Sequence, residues 1–171
     1  MQEQKGGRRG RVGIVMGSDS DLPVMQEAGK ILEQFGVEYE ITVASAHRSP
    51  DRAARYAHEA EDKGLDVIIA GAGGAAHLAG MVAAGTTLPV IAVPLASSPL
   101  AGFDALLSSV QMPPGVPVAV MSVGPWGARN AGLLAVQIIA RRVPELREAL
   151  ARHKQTMAAD VEKKAKGLER R

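Results

Sequence analysis

The stretch RVGIVMGSDSD, residues 11–21, decides the fold. Residues 12–16 form a continuous apolar run with no polar alternation, the pattern of a strand covered on both faces. The run passes at once into the turn-rich GSDSD. Beyond it, Met25, Ala28, Leu32 and Phe35 fall at steps of three, four and three, the spacing of a helix with one buried face. Ser20 or Asp21 is the expected N-cap and Gly36 the expected stop.

The same unit recurs outward along the chain. EYEITV (38–43) predicts a second strand, and Ser49-Pro50-Asp51 opens a helix running to Lys63-Gly64. DVIIA (66–70) predicts a third strand and a small-residue helix follows over 76–84. PVIAV (89–93) predicts a fourth, followed by Pro94, a Ser-rich loop and a helix from Ser98-Pro99. PVAVMS (117–122) predicts a fifth, with a helix over 127–142 and a charged one over 145–167. Apolar strands alternating with helices mean a parallel sheet with helices on both faces. The expected fold is α/β: one doubly wound, flavodoxin-like (Rossmann-like) five-stranded sheet in three layers, with an appended C-terminal helix. Residues 1–10 read as a flexible lead-in, 11–143 as the α/β domain, and 144–171 as a charged helix and tail.

Composition narrows the function. Aromatic residues are only 3% of the chain, too few to stack nucleic-acid bases. The sequence contains no Cys, which excludes disulfides, thiolate metal sites and cysteine nucleophiles. Residues 1–11 carry four Lys/Arg against one Glu, and 141–171 carry ten against five acids; with a total of +2, residues 12–140 stand at −6. The basicity therefore belongs to the two ends, which argues against a nucleic-acid footprint. No His/Asp/Glu cluster has metal-ligand spacing, so no metal and no cofactor is expected.

Between Val67 and Ala140 the charged residues are Asp104 and Arg129. Glycines, His77 and Pro89 break this stretch before it reaches the length a bilayer requires, and no apolar signal region precedes Val12. A cytoplasmic protein with no membrane association is expected. Surface so poor in charge is expected to be hidden against other copies of the chain.

In doubly wound sheets, ligands bind beyond the carboxyl ends of the strands. The segments there are Gly17-Ser18-Asp19-Ser20-Asp21, Ser45-Ala46-His47-Arg48, GAGGAAH (71–77), Pro94-Leu95-Ala96-Ser97-Ser98 and Gly124-Pro125-Trp126-Gly127. The first suits a phosphate or sugar at a helix start, although Ser20 or Asp21 would be there as a cap in any case. Arg48 is a bidentate phosphate partner. Beside it, His47 is a proton carrier or a plain loop histidine. GAGGAAH lacks the following acid of a dinucleotide site. Its glycines would let a planar ligand approach, with His77 as a polar contact or a structural residue. His58 and His153, among helical charges, are expected on the solvated surface.

GSDSD (17–21), SAHRSP (45–50), GAGGAAHLAGM (71–81) and SSVQMPPGVPV (108–118) together resemble the N5-carboxyaminoimidazole ribonucleotide mutase family of purine biosynthesis. The resemblance covers about 12–140. It implies transfer of a carboxylate from the exocyclic nitrogen of the aminoimidazole ribonucleotide to ring carbon 4, without metal, ATP or biotin. It implies that Ser18, Asp21, Ser45 and Arg48 hold the ribose 5-phosphate end and that His47 moves the proton. Gly73, Gly74, His77 and Leu78 would line the imidazole and CO2 pocket, and the assembly would be a homo-octamer. A related branch carboxylates aminoimidazole ribonucleotide directly and typically has Lys at the motif's Arg, so Arg48 points to the mutase. Ala79, Pro99 and Pro125-Trp126 depart from the common pattern. The competing class, a non-catalytic flavodoxin-like nucleotide-binding module, does not account for adjacent His and Arg.

Overall fold

A computed structural model describes residues 10–169; the lead-in expected at 1–10 lies almost entirely outside them. The strands are β1 (Arg11–Met16), β2 (Glu38–Val43), β3 (Val67–Gly73), β4 (Val90–Leu95) and β5 (Ala119–Val120). The helices are α1 (Leu22–Gln34), α2 (Pro50–His58), α3 (Leu78–Ala84), α4 (Phe103–Val110), α5 (Pro125–Ile139) and α6 (Pro144–Glu169). All pairings are parallel, in the order β2-β1-β3-β4-β5. Chain direction across the sheet reverses between β1 and β3, so the switch point of this flavodoxin-like sheet lies where those strands end.

Alternate residues of each strand feed two cores. Val12, Ile14, Val67, Ile69, Ile91 and Val93 face α1 and α5, where Met25, Leu32, Ala131 and Val136 close over them; Leu146 of α6 seals the end. Val15, Ile68, Ala70 and Ala92 face α2 and α3, against Ala53, Tyr56, Leu78 and Val82. Each fully buried Ile or Leu contributes about 1.5–3 kcal/mol. Tyr56 lies over β1, its hydroxyl filling the space a side chain at Gly13 would need. Burial, then the nearby Glu40, pushes that phenol's pKa up.

Several boundaries differ from expectation. Asp21 holds the N-cap position of α1 but makes no side-chain cap there; the capping box lies one turn earlier, where the Ser18 hydroxyl accepts from Ser20 N and the Asp21 carboxylate accepts the Ser18 N–H. Ser49 makes no side-chain cap on α2, because its hydroxyl donates to the Ser45 carbonyl and accepts the Ser45 N–H. Strand β4 runs through Pro94 to Leu95. The Pro94 carbonyl faces the β5 side, accepting Gly124 N at 2.9 Å. Its missing N–H therefore falls on that side too, past the short β5 ladder, which ends at Ala92 and Val120. Helix α4 starts at Phe103 rather than at Ser98, because Ala101 and Gly102 take left-handed conformations, φ 50° and 87°. His153 is not a solvated surface residue: its ring meets Phe35 edge-on at 5.6 Å.

Candidate active site

Loops leaving the carboxyl ends of β1, β2, β3 and β4 surround a cleft of about 430 Å³, within the range of small-molecule sites. Its walls include Ser18, Asp21, Ser45, His47, Arg48, Gly73, His77 and Leu78. Eight of the nine candidate residues thus meet in one place. Gly74 does not reach the lining; at φ 60° it turns the chain out of β3 and lets His77 swing back toward the cleft.

One wall is built by β1 and the loop beyond it. Asp21 is only 8% exposed, one of two buried polar side chains among the described residues. Burial raises its carboxyl pKa, while the Ser18 N–H and Arg48 oppose the rise. On the second loop, Arg48 is held at three points. Its backbone N–H donates to Ser45 Oγ at 3.2 Å, its Nε stands 3.5 Å from the same oxygen, and one guanidinium nitrogen donates to the Gly17 carbonyl at 3.0 Å. The guanidinium therefore bridges the loops after β1 and β2, with donors left for an anion.

His47 and His77 come from loops 30 residues apart. His47 Nε2 lies 2.8 Å from His77 Nδ1, with the rings edge-to-face at 78°. One nitrogen donates and the other accepts, so the pair holds a proton on the line between two loops. Leu78, 1% exposed, and Gly73 supply apolar wall beside it. Ser97, from the loop after β4, also lines the cleft, as do Gly17, Ser20 and the alanines Ala46, Ala72 and Ala75. All of these lie in the strand-end segments read from the sequence, but none was singled out there as a ligand contact.

The profile of the AIR carboxylase family matches residues 11–160, nearly the whole described chain. The chain belongs to the AIR carboxylase family. Similar members include the Pyrococcus horikoshii N5-carboxyaminoimidazole ribonucleotide mutase, 59% identical over 158 residues, covering 92% of this chain and 88% of that one. The Thermotoga maritima mutase is 57% identical, covering 93% and 92% of the two chains. The Mycobacterium tuberculosis mutase is 53% identical, covering 96% and 93%. The solved Treponema denticola PurE superposes with a TM-score of 0.78 at 30% identity, over 88% of this chain and 93% of that one. The doubly wound sheet is thus an AIR carboxylase family fold, and the cleft lies at its switch point.

Proposed function

We propose that the chain is an isomerase of purine biosynthesis that converts N5-carboxyaminoimidazole ribonucleotide to 4-carboxy-5-aminoimidazole ribonucleotide. The observation that carries this reading is the His47–His77 contact at 2.8 Å, set beside Arg48 in a cleft of the AIR carboxylase family fold. Relatives bearing the mutase name at 53–59% identity support it.

The reaction needs one proton delivered and one recovered. His47 protonates the exocyclic carbamate nitrogen, the C–N bond breaks, and CO2 leaves with the nitrogen retaining the bonding pair. Ring carbon 4 then attacks CO2. The proton on that carbon returns to His47, restoring aromaticity, so no proton is consumed. Imidazole suits both steps because it donates and accepts near neutral pH. Leu78 and Gly73 provide a wall that keeps CO2 beside the ring, and such confinement contributes several kcal/mol, on the order of 7 or more when alignment is good.

Ser18, Asp21, Ser45 and Arg48 hold the ribose 5-phosphate end, Arg48 through charge-assisted bonds to phosphate and Asp21 by accepting from sugar hydroxyls. Gly73, His77 and Leu78 frame the imidazole and CO2, and Gly74 makes the turn behind them. The enzyme works in the cytoplasm as a homo-oligomer, an octamer by resemblance. Exposed Phe103, Leu107 and Val110 at helical spacing on α4 support assembly, as do Leu100 in the loop before it and Trp126 in the first turn of α5. So does α6, exposed all round over residues 154–168.

An ultraviolet assay without ATP tests the reading. Rapid conversion of N5-carboxyaminoimidazole ribonucleotide, with little product from aminoimidazole ribonucleotide and bicarbonate, is expected. Efficient use of the second pair would assign direct carboxylation instead, and no conversion of either would leave a binding module.

A further inference from the structure

The motif SSVQMPPGVPV stands apart from the cleft, yet one of its serines reaches the loop that carries His77. Ser108, on α4, accepts the Ala76 N–H on its Oγ at 3.0 Å and donates to the Ala105 carbonyl at 3.2 Å. Among the described residues, no other side chain bonds the backbone of residues 74–77. Ala76 is 3% exposed, so losing this partner leaves a buried N–H unpaired by protein. His77 follows immediately, and its side chain caps nothing on α3; its ring is free to meet His47 instead.

We propose that Ser108 is a positioning residue for the His77–His47 pair, acting through the Ala76 backbone. The proposal rests on the proton-transfer reading of that pair. A nitrogen–nitrogen hydrogen bond weakens steeply once distance and angle drift. A loop released at Ala76 lets the His77 ring leave the line to His47.

The neighbouring serine supplies an internal control. Ser109 donates to the same Ala105 carbonyl, at 2.8 Å, and is more deeply buried, but no loop N–H reaches it. A purely structural role would make Ser109 the more sensitive of the two. Positioning makes it Ser108.

The test compares Ser108→Ala, Ser108→Thr and Ser109→Ala in the full chain, by turnover of N5-carboxyaminoimidazole ribonucleotide and by ¹⁵N NMR of the histidine rings in the ligand-free protein. Ser108→Ala should lower kcat about tenfold or more, with KM within about twofold, and move the ring nitrogens of His77 and His47. Ser108→Thr keeps the hydroxyl and should restore most of kcat. Ser109→Ala should leave kcat and the ring resonances near wild type, even where it lowers Tm. Unchanged resonances in Ser108→Ala, or an equal loss of kcat in Ser109→Ala, would overturn the proposal. Should the wild type turn over neither ribonucleotide, the assigned reaction fails, and the ring nitrogens alone still decide whether Ser108 positions the pair.

Discussion

His47 Nε2 and His77 Nδ1 share one hydrogen bond at 2.8 Å, so the two rings function as one proton-holding unit. If both rings were protonated, all four nitrogens would be donors and the bond could not exist. The pair therefore carries at most one positive charge while it stays closed. That fits a site that gives away one proton and takes one back.

Turnover should depend far more on His47 than binding does. His47→Asn is expected to lower kcat by about 10²–10⁴, with ribonucleotide affinity by calorimetry within a fewfold of wild type. Near-normal kcat would remove His47 from the proton path.

Asp21 pits stability against binding. Its carboxyl pKa is raised from an ordinary 3.8, first by burial. The folded state therefore holds the proton more tightly. The favourable contribution is complete below the unfolded value and is lost as pH rises through the raised native value. At neutral pH the buried charge is a net cost. Asp21→Asn should raise Tm at pH 7 but not at pH 3, while weakening ribonucleotide binding about tenfold through loss of charge-assisted bonds. A lower Tm at pH 7 would contradict this account.

Gly73 is a steric keyhole. A Cβ there would stand 1.7 Å from Ser97 Oγ and 3.1 Å from the Leu95 carbonyl. Gly73→Ala should force Ser97 from the cleft wall and reduce kcat/KM at least tenfold, and adding Ser97→Gly should recover much of the loss. A double-mutant cycle measures the coupling. Additive losses would show that the two positions do not compete for that space.

Glu27 joins α1 to α5 through Arg129 at 2.6 Å and meets Lys30 at 2.5 Å. Lys30 first, then Arg129, lowers its carboxyl pKa from the ordinary 4.5. Here the sign is opposite to Asp21: the stabilisation is present above the ordinary value and lost as pH falls through the depressed one. Glu27→Gln should lower Tm at pH 7 in low salt, with the difference shrinking in 1 M NaCl and in acid. A pH-independent difference would mean a packing effect.

Helix α6 leaves the body after His153, and Met157, Val161 and Leu168 are 48%, 64% and 71% exposed along it. Most helical stability in proteins comes from packing an apolar face against a partner. Deleting residues 155–171 should preserve the circular dichroism of the remaining fold and shift sedimentation to smaller species. An unchanged sedimentation coefficient per protomer mass would place the assembly contacts elsewhere.

The five strands and their alternation with helices were legible because apolar runs and 3.6-residue spacing are local signals. The cleft was legible for a different reason: sheet topology brings strand ends together whatever their separation in sequence, so His47 and His77 could both be assigned to one edge. Their direct contact could not be read, since it depends on the turn at Gly74. Asp21 was read correctly as the N-cap position of α1; the 3₁₀ turn before it, with its box at Ser18, carried no periodic signal. Strand β5 was over-extended: PVAVMS has strand composition, but only Ala119 and Val120 pair with β4. Ser97 lay in a quoted strand-end segment, whereas Ser108, on α4, carried no local mark of its reach to Ala76.

Met25 of α1 is fully buried, and its sulfur lies 2.2 Å from where a Cβ on Gly71 would be. The helix that begins in the GSDSD loop is thereby keyed into the strand that ends at Gly73. The walls that carry Ser18 and Gly73 thus share one foundation. A ligand entering this cleft meets jaws already set, and the energy of its binding is not spent on closing them.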